Sequence, residues 1–373
     1  MCRFPTHRAQ ATVNTAALQA NLALLEGCTP QYSAKKPRTI AVVKANAYGH
    51  GDALVVPALW EAGCDFFAVA TPDEAISVRK IAPRADILIL GYTPPTLADV
   101  LAEERLHQTV FSLDYARELS ECTKAKGRSV RVHLKIDGGM CRLGFAPESL
   151  AEILAAATLP GLEPVGIYTH FPCADADKSV TRAAFSRFLQ CKNTLKRCGF
   201  SLFSHAAASA ASLTLPETAL DGVRVGLALY GIPPVATTLP LRQVLTLTAP
   251  VVQIHEVPEG TPVGYGGTFV TSRPSKIGTL PIGYADGIPR RFKECVGQVR
   301  IMAKGNTFFA PVAGNICMDQ MMLDLTKTPV EIGDRAVFFA PVTEAATALG
   351  TIPYELLTGI GARVLRTATN ERI

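Results

Sequence analysis

The sequence predicts an α/β protein, an N-terminal (β/α)8 barrel followed by a separate, mainly β domain. Three observations predict it. Short β-branched runs alternate with longer amphipathic segments over the first two thirds of the chain, the pattern of βα units feeding a parallel sheet. Eight such runs can be counted, the number that closes a TIM-type barrel, with an open doubly wound sheet as the weaker alternative. After about residue 242 the long helical segments stop and β-rich runs succeed one another, which divides the chain into 1–242 and 243–373.

In chain order, the barrel strands are predicted at Ile40–Lys44, Phe66–Ala70, Ile87–Leu90, Gln108–Phe111, Val130–Ile136, Pro164–His170, Leu202–Ala206 and Gly222–Leu227. Helical segments such as 73–82, 113–126, 147–157 and 180–198 fall between most of them. The second domain reads as strands at Val244–Val257, Lys276–Ile282, Val296–Ala303, Phe308–Ala313, Met321–Leu325 and Arg335–Phe339. Turn chemistry at Pro-Glu-Gly 258–260 and Ile-Gly-Asp 332–334 punctuates these runs.

Composition narrows the function classes. With 48% apolar and 18% charged residues, the 373-residue chain can bury a sizeable core. Its 37 basic and 32 acidic residues leave only +5, without like-charge runs, so no nucleic-acid partner is expected. Ten cysteines, from Cys2 to Cys317, show neither C-x-x-C pairs nor metal spacing, which reads as reduced thiols without a metal site. The start, MCRFPTHRAQATVN, has early positive charge but no apolar segment after it, so no signal peptide is expected. Uncharged stretches such as Val225–Leu241 are broken by Gly and Pro, so no membrane span is expected and the compartment reads as cytoplasmic.

A barrel of this kind gathers its chemistry at the carboxyl ends of its strands. Lys44 ends the first predicted strand, Lys135 and Asp137 the fifth and His170 the sixth; Ser209 follows the seventh and Arg224 lies in the eighth. Singly, each has an ordinary structural reading, as a solvated strand end, a hydrogen-bonded histidine or half of an ion pair. Five or six polar groups at equivalent ends of different strands are harder to explain, because a core would want none. The segment Ala-Val-Val-Lys-Ala-Asn-Ala-Tyr-Gly-His-Gly, 41–51, is the strongest local signal. A lysine at an apolar strand end is partly desolvated, which lowers its pKa and frees an amine to form a Schiff base with an aldehyde. Tyr48 and Gly49 are expected at the start of the next helix, where backbone N–H groups favour an anion, although Gly49 and Gly51 read equally well as turn residues.

The 41–51 segment resembles the cofactor-lysine motif of the alanine racemases, pyridoxal-phosphate (PLP) enzymes built from a barrel and a C-terminal β domain. The resemblance spans nearly the whole chain. It continues through Leu-Lys-Ile-Asp-Gly-Gly-Met-Cys-Arg-Leu-Gly (134–144), Thr-His-Phe (169–171), Ser-Ala-Ala (209–211), Val-Arg-Val-Gly (223–226) and Leu-Tyr-Gly (229–231). Beyond the barrel it includes Val-Gly-Tyr-Gly (263–266), Ile-Gly-Tyr-Ala-Asp-Gly (282–287), Cys-Met-Asp-Gln (317–320) and Pro-Tyr-Glu-Leu (353–356).

The resemblance implies a role for each matching residue. Lys44 would carry PLP and act as the base on one face of the substrate. Inversion needs a second acid/base group on the opposite face, and Tyr265 matches the family's tyrosine, supplied by the partner subunit of a homodimer with shared active sites. A tyrosine, with an ordinary pKa near ~10, needs cationic neighbours to act as a base near neutrality, and Arg224 and His170 are the candidates. Arg224 would face the pyridine nitrogen and His170 the cofactor ring. Because a guanidinium does not give up its proton, Arg224 can donate a hydrogen bond without protonating that nitrogen. Tyr48, Ser209, Tyr354 and the backbone N–H groups of Gly226 and Leu227 would hold the phosphate. Arg142 and the backbone of Met318 would take the substrate carboxylate, Tyr284 and Asp319 would shape the entrance, and Lys135 would be either a carbamate orienting Arg142 or a lysine paired with Asp137.

Several positions depart from the usual pattern. Ala208 stands where Asn is common, Val225 where Pro is common, Gly138 where Thr is common and Asn315 where Arg is usual. None removes a catalytic group. The expected activity is interconversion of L- and D-alanine for cell-wall precursor supply, with a serine or broad-specificity racemase as the alternative; Tyr354 favours alanine, since serine-preferring relatives tend to carry a smaller residue there. A barrel-type decarboxylase would show an extended glycine-rich phosphate loop, which is missing, and a single-barrel PLP carrier would have no second domain.

Overall fold

The structure, a computed structural model, describes residues 8–28 and 36–371; Cys2 and residues 1–7 of the N-terminal segment lie outside the described residues. Eight parallel strands, Arg38–Val42, Phe66–Val69, Asp86–Ile89, His107–Val110, Val130–Lys135, Leu162–Tyr168, Phe203–Ala208 and Gly222–Val225, form a closed barrel, the last pairing with the first. Strands wrapped by helices bury both faces, and every residue of Phe66–Val69 and of Gly222–Val225 is buried. The open sheet is thereby excluded. The eight predicted strands fall on these segments, displaced by one or two residues at their ends.

One displacement matters to the site. The first strand stops at Val42, and Lys44 opens a turn rather than ending the strand. Ala45, Asn46, Ala47 and Tyr48 then take left-handed φ values of 52° to 54°. For residues with a Cβ this conformation costs roughly 1–2 kcal/mol each. The expectation that Tyr48 and Gly49 open a helix is therefore corrected: the left-handed run and the positive φ of Gly49 and Gly51 delay the right-handed helix to Asp52–Glu61.

The β-rich part contains a six-stranded sheet in the order Asn306–Pro311, Gln298–Ala303, Arg335–Phe338, Leu245–Pro250, Gln10–Asn14, Leu365–Thr369. A three-stranded sheet of Gln253–Val257, Ser275–Leu280 and Met321–Asp324 and a short hairpin, Pro262–Val263 with Phe269–Val270, complete it. The predicted run Val244–Val257 is two strands belonging to different sheets, split after Pro250.

The strand Gln10–Asn14 changes the domain division. It pairs antiparallel with Leu245–Pro250 and parallel with Leu365–Thr369. The described residues accordingly form two compact units, one of 18–28, 36–47 and Val55–Arg242, the other of 8–17, Tyr48–Leu54 and 243–371. The break after residue 242 is common to both divisions, but residues 8–17 and Tyr48–Leu54 do not belong to the barrel unit as the sequence suggested. Among the described residues no helix is long and apolar enough to cross a membrane, no His, Cys, Asp and Glu group could hold a metal ion, and the cysteines are free thiols.

Candidate active site

In the barrel unit, the first and eighth strands pair in parallel, with Ile40 opposite Arg224, so Lys44 and Arg224 lie on neighbouring staves. Burial lowers the Lys44 pKa, the cation of Arg142 lowers it further, and Glu74 opposes both. Glu74 also fixes the turn. Its carboxylate accepts from the N–H of Ala45 at 2.7 Å and of Ala70 at 2.7 Å, tying the ends of the first two strands together. Sequence reasoning missed this residue, although Thr71-Pro-Asp-Glu74 carries the S/T-x-x-E capping pattern and Thr71 does cap the Pro72–Ile81 helix.

Arg224 is 4% exposed and, among the described residues, has no carboxylate within ion-pair distance. Carbonyls satisfy it instead: Nη2 donates to Thr169 O at 2.7 Å and Ala206 O at 3.0 Å, and Nη1 to His205 O at 3.1 Å and His205 Nδ1 at 2.9 Å. Burial brings its pKa down to about 10, which leaves it cationic near neutrality. His170 Nδ1 lies 3.3 Å from Nη2. Burial, reinforced by Arg224, depresses the His170 pKa to about 3, so the imidazole is neutral. That corrects one expectation: His170 has no positive charge with which to stabilise a phenolate.

Lys135, 6% exposed, ends the fifth strand with Nζ 5.7 Å from the Tyr168 ring centroid. Burial, then Arg142 and Arg224, lower its pKa to about 8. Asp137 forms no ion pair with it; the carboxylate caps the following loop, accepting from the N–H of Met140 at 3.2 Å and Cys141 at 3.1 Å. That loop is closed by Phe145 N–H to Lys135 O and Asp137 N–H to Phe145 O, and it carries the exposed Arg142. Gly138 is there for space, since a Cβ would sit 2.3 Å from His170 O. Ser209, the first residue after the seventh strand, accepts the Gly226 N–H at 3.0 Å. The N–H that the resemblance assigns to phosphate is thus turned toward Ser209, whose own hydroxyl proton can be donated onward. Leu227 opens the short 3-10 turn Leu227–Tyr230. Nothing in the structure explains Ala208 or Val225.

The β-rich unit gathers the remaining candidates in two places. Tyr48 packs 5.7 Å from Tyr354, and burial raises its pKa, so the phenol stays protonated. Gly49 cannot be replaced there: its φ is +80° and a Cβ would lie 2.0 Å from Leu357 O. At the second place, Tyr265, Tyr284, Met318 and Asp319 line an open cavity of about 1240 Å³. Tyr265 is 76% exposed. Gly264 (φ +73°) precedes it, and Asn315 Nδ2 donates to the Tyr265 carbonyl at 2.9 Å. Met318 O accepts from Ala285 N–H at 3.1 Å, and Asp319 pairs with Arg363 at 2.6 Å, which also binds the buried Asp286.

A lysine in the turn after the first strand and a buried arginine on the adjoining eighth strand of a parallel barrel define a class, the barrel enzymes that act on substrates through an amine anchor. Family models agree at a finer level: "Alanine racemase, N-terminal domain" matches residues 13–234 and "Alanine racemase, C-terminal domain" matches 244–368. The chain is 41% identical over 344 residues to alanine racemase 2 of Caldanaerobacter subterraneus subsp. tengcongensis, covering 88% of this chain and 87% of that one. The solved alanine racemase of Clostridium difficile 630 superposes with a TM-score of 0.88 at 32% identity, covering 100% of this chain and 98% of the other. The alanine racemase of Bartonella henselae with covalently bound pyridoxal phosphate superposes at 0.84 with 28% identity over 97% and 99%. The chain belongs to the alanine racemase family.

Proposed function

We propose that the protein is a cytoplasmic, PLP-dependent alanine racemase that works as a homodimer, interconverting L- and D-alanine for cell-wall precursor supply. The observation that carries the reading is the placement of Lys44, whose ammonium form is disfavoured, just past the end of the first strand, beside the eighth strand that carries Arg224, a buried cation with no carboxylate within ion-pair distance among the described residues. These residues fit the cofactor. Within the barrel unit, Lys44 would offer an amine for its aldehyde, Arg224 a donor for its ring nitrogen, and Ser209, held by the Gly226 N–H, with the Leu227 backbone, neutral groups for its phosphate; in the other unit, Tyr48 and Tyr354 are further neutral candidates. When bound, PLP supplies the electron sink that makes the substrate Cα proton acidic.

The chain supplies the rest. Lys44 Nζ moves a proton at one face of Cα and the Tyr265 phenol at the other, so that removal on one side and return on the other inverts the centre. Arg142 and the Met318 backbone hold the carboxylate, which fixes Cα between the two bases. Arg224 donates a hydrogen bond but keeps its proton, which weakens the sink and limits side reactions. His170, neutral, would lie against the cofactor ring. Lys135 carries a carbamate that orients Arg142; its lowered pKa and the commitment of Asp137 to loop N–H groups support this over an ion pair. The exposure of Tyr265 supports a partner copy as the surface that covers it.

The test is loss of optical activity of L-alanine, followed by circular dichroism with and without added PLP, with L-serine alongside. PLP-dependent racemisation of alanine, much faster than of serine, is expected. A protein that binds PLP but leaves both amino acids unchanged would overturn the assignment of Tyr265 and of the activity.

A further inference from the structure

Three histidines stand inside the barrel without a task in the reaction. His107 opens the fourth strand, and His133 and His205 lie within the fifth and seventh. All three are buried. His205 Nε2 is 2.9 Å from His133 Nδ1, and His133 Nε2 is 3.2 Å from His107 Nδ1. At one end, Arg224 Nη1 lies 2.9 Å from His205 Nδ1; at the other, His107 Nε2 is buried with no hydrogen-bond partner among the described residues and faces Asp86 Oδ1 at 3.6 Å, beyond hydrogen-bond reach. Asp86 is the first residue of its strand, at the amino end of the barrel, and Arg38 holds its other oxygen at 2.6 Å.

The direction of this chain follows from one fact, that a guanidinium only donates. His205 Nδ1 must accept, so its proton is on Nε2 and is donated to His133 Nδ1. The same logic places the His133 proton on Nε2, and then that of His107, whose N–H points to Asp86. We infer that His107, His133 and His205 form an oriented hydrogen-bond wire from Arg224, each ring in the Nε2–H tautomer, whose last N–H has no hydrogen-bond partner among the described residues and faces the Asp86 carboxylate, at the opposite end of the barrel, as an electrostatic contact across 3.6 Å. On the function proposed above, the wire acts as a positioning device. It holds the guanidinium plane toward the cofactor ring and lends the buried cation a distant counter-charge through aligned imidazole dipoles, whose hydrogen bonds strengthen one another in a low-dielectric interior.

The surroundings are built for it. A Cβ on Gly166 would lie 2.2 Å from His133 Nδ1, so only glycine leaves room for that ring. Tyr168 stacks on His205 at 4.7 Å and 6°, its hydroxyl 3.0 Å from Thr109 Oγ1. A second proton on any ring would set N–H against N–H. The charged groups facing the rings are Asp86, Arg38, Arg79 and Arg131 at His107 and Arg224 at His133 and His205; burial, the largest influence, keeps all three neutral.

The test is histidine-15N NMR of the cofactor-loaded protein from pH 6 to 9. Three rings with protonated Nε2 and bare Nδ1, unchanged over that range, are expected. In Asp86→Asn the ring nitrogens of all three histidines should shift together, the visible band of the lysine-bound cofactor should move, and kcat should fall by about two- to thirtyfold at unchanged KM. A protonated Nδ1 at any of the three, or a shift confined to His107, overturns the wire. An unmoved band with the NMR signature intact overturns its coupling to the cofactor. His107→Gln serves as the second variant, with the same expectation at His133 and His205. A wild-type protein that shows no band with PLP overturns the functional reading, while the tautomers still decide the wire.

Discussion

Arg224 and Tyr265 show two opposite ways of holding a side chain for chemistry. Arg224 is buried and gripped by three carbonyls and two imidazoles, each from the sixth or seventh strand or the residues that follow them. Tyr265 is 76% exposed, and its turn is held by a glycine geometry and one side-chain hydrogen bond to its carbonyl. The two side chains carry different desolvation costs. A desolvated cation needs its N–H groups placed before anything binds, and both Nη groups of Arg224 are held by partners of the barrel unit. A phenol costs little in water and can be presented on a turn, to be oriented by whatever covers it.

The sharpest break of this comparison is at Lys44. Lys44→Ala should abolish the visible band of bound PLP and lower racemisation by more than ~10⁴-fold, because the anchor and one base go together. A coloured Lys44→Ala protein would move the anchor elsewhere. Tyr265→Phe should separate the two sides, keeping the band while racemisation falls by about 10²–10⁴-fold. Exchange of the substrate Cα hydrogen with deuterated solvent should persist in this variant, from the Lys44 face alone. A fully active Tyr265→Phe enzyme would contradict the two-base assignment.

Much of the buried half is legible in the sequence, and little of what supports the exposed half. Strand ends such as Lys135 and the Ser209 position stand out because apolar β-branched runs stop abruptly at polar residues. Lys44 follows the same logic, but its left-handed turn is invisible, since Ala-Asn-Ala-Tyr carries no glycine to announce positive φ. Gln10–Asn14 escapes notice because its partners are more than 200 residues away and five residues carry no period of their own. The histidine chain is equally hidden, since spacing along the sequence does not reveal which rings a barrel interior brings together. Asn315 reads only as a departure until its amide is seen on the Tyr265 carbonyl.

Lys135 sharpens the buried side through pH. Its folded pKa, about 8, lies below its ordinary value of 10.5, so between those values the unfolded chain binds more protons and stability rises with pH. Thermal unfolding in carbon dioxide-free buffer should show a steeper rise from pH 8 to 10 than in Lys135→Met, by at most about 3 kcal/mol over the interval. Bicarbonate should flatten the difference and raise wild-type activity while leaving Lys135→Met unaffected, since only a neutral lysine forms a carbamate. Identical pH slopes in the two proteins would mean that Lys135 is not desolvated.

The smallest effect tests the weak grip on Tyr265. Asn315→Ala removes one half-exposed hydrogen bond, about 0.5–1.5 kcal/mol, from a turn whose glycines already set its path. The PLP band and melting temperature should hardly move, and kcat should drop less than about tenfold, with KM for alanine little changed. If the contrast between the units is right, Asn315→Ala costs far less than Tyr265→Phe, because the surface that covers the phenol supplies most of its orientation. A loss as deep as that of Tyr265→Phe would show that Asn315 alone fixes the tyrosine, and the exposed turn would then be as preorganised as the arginine in the barrel.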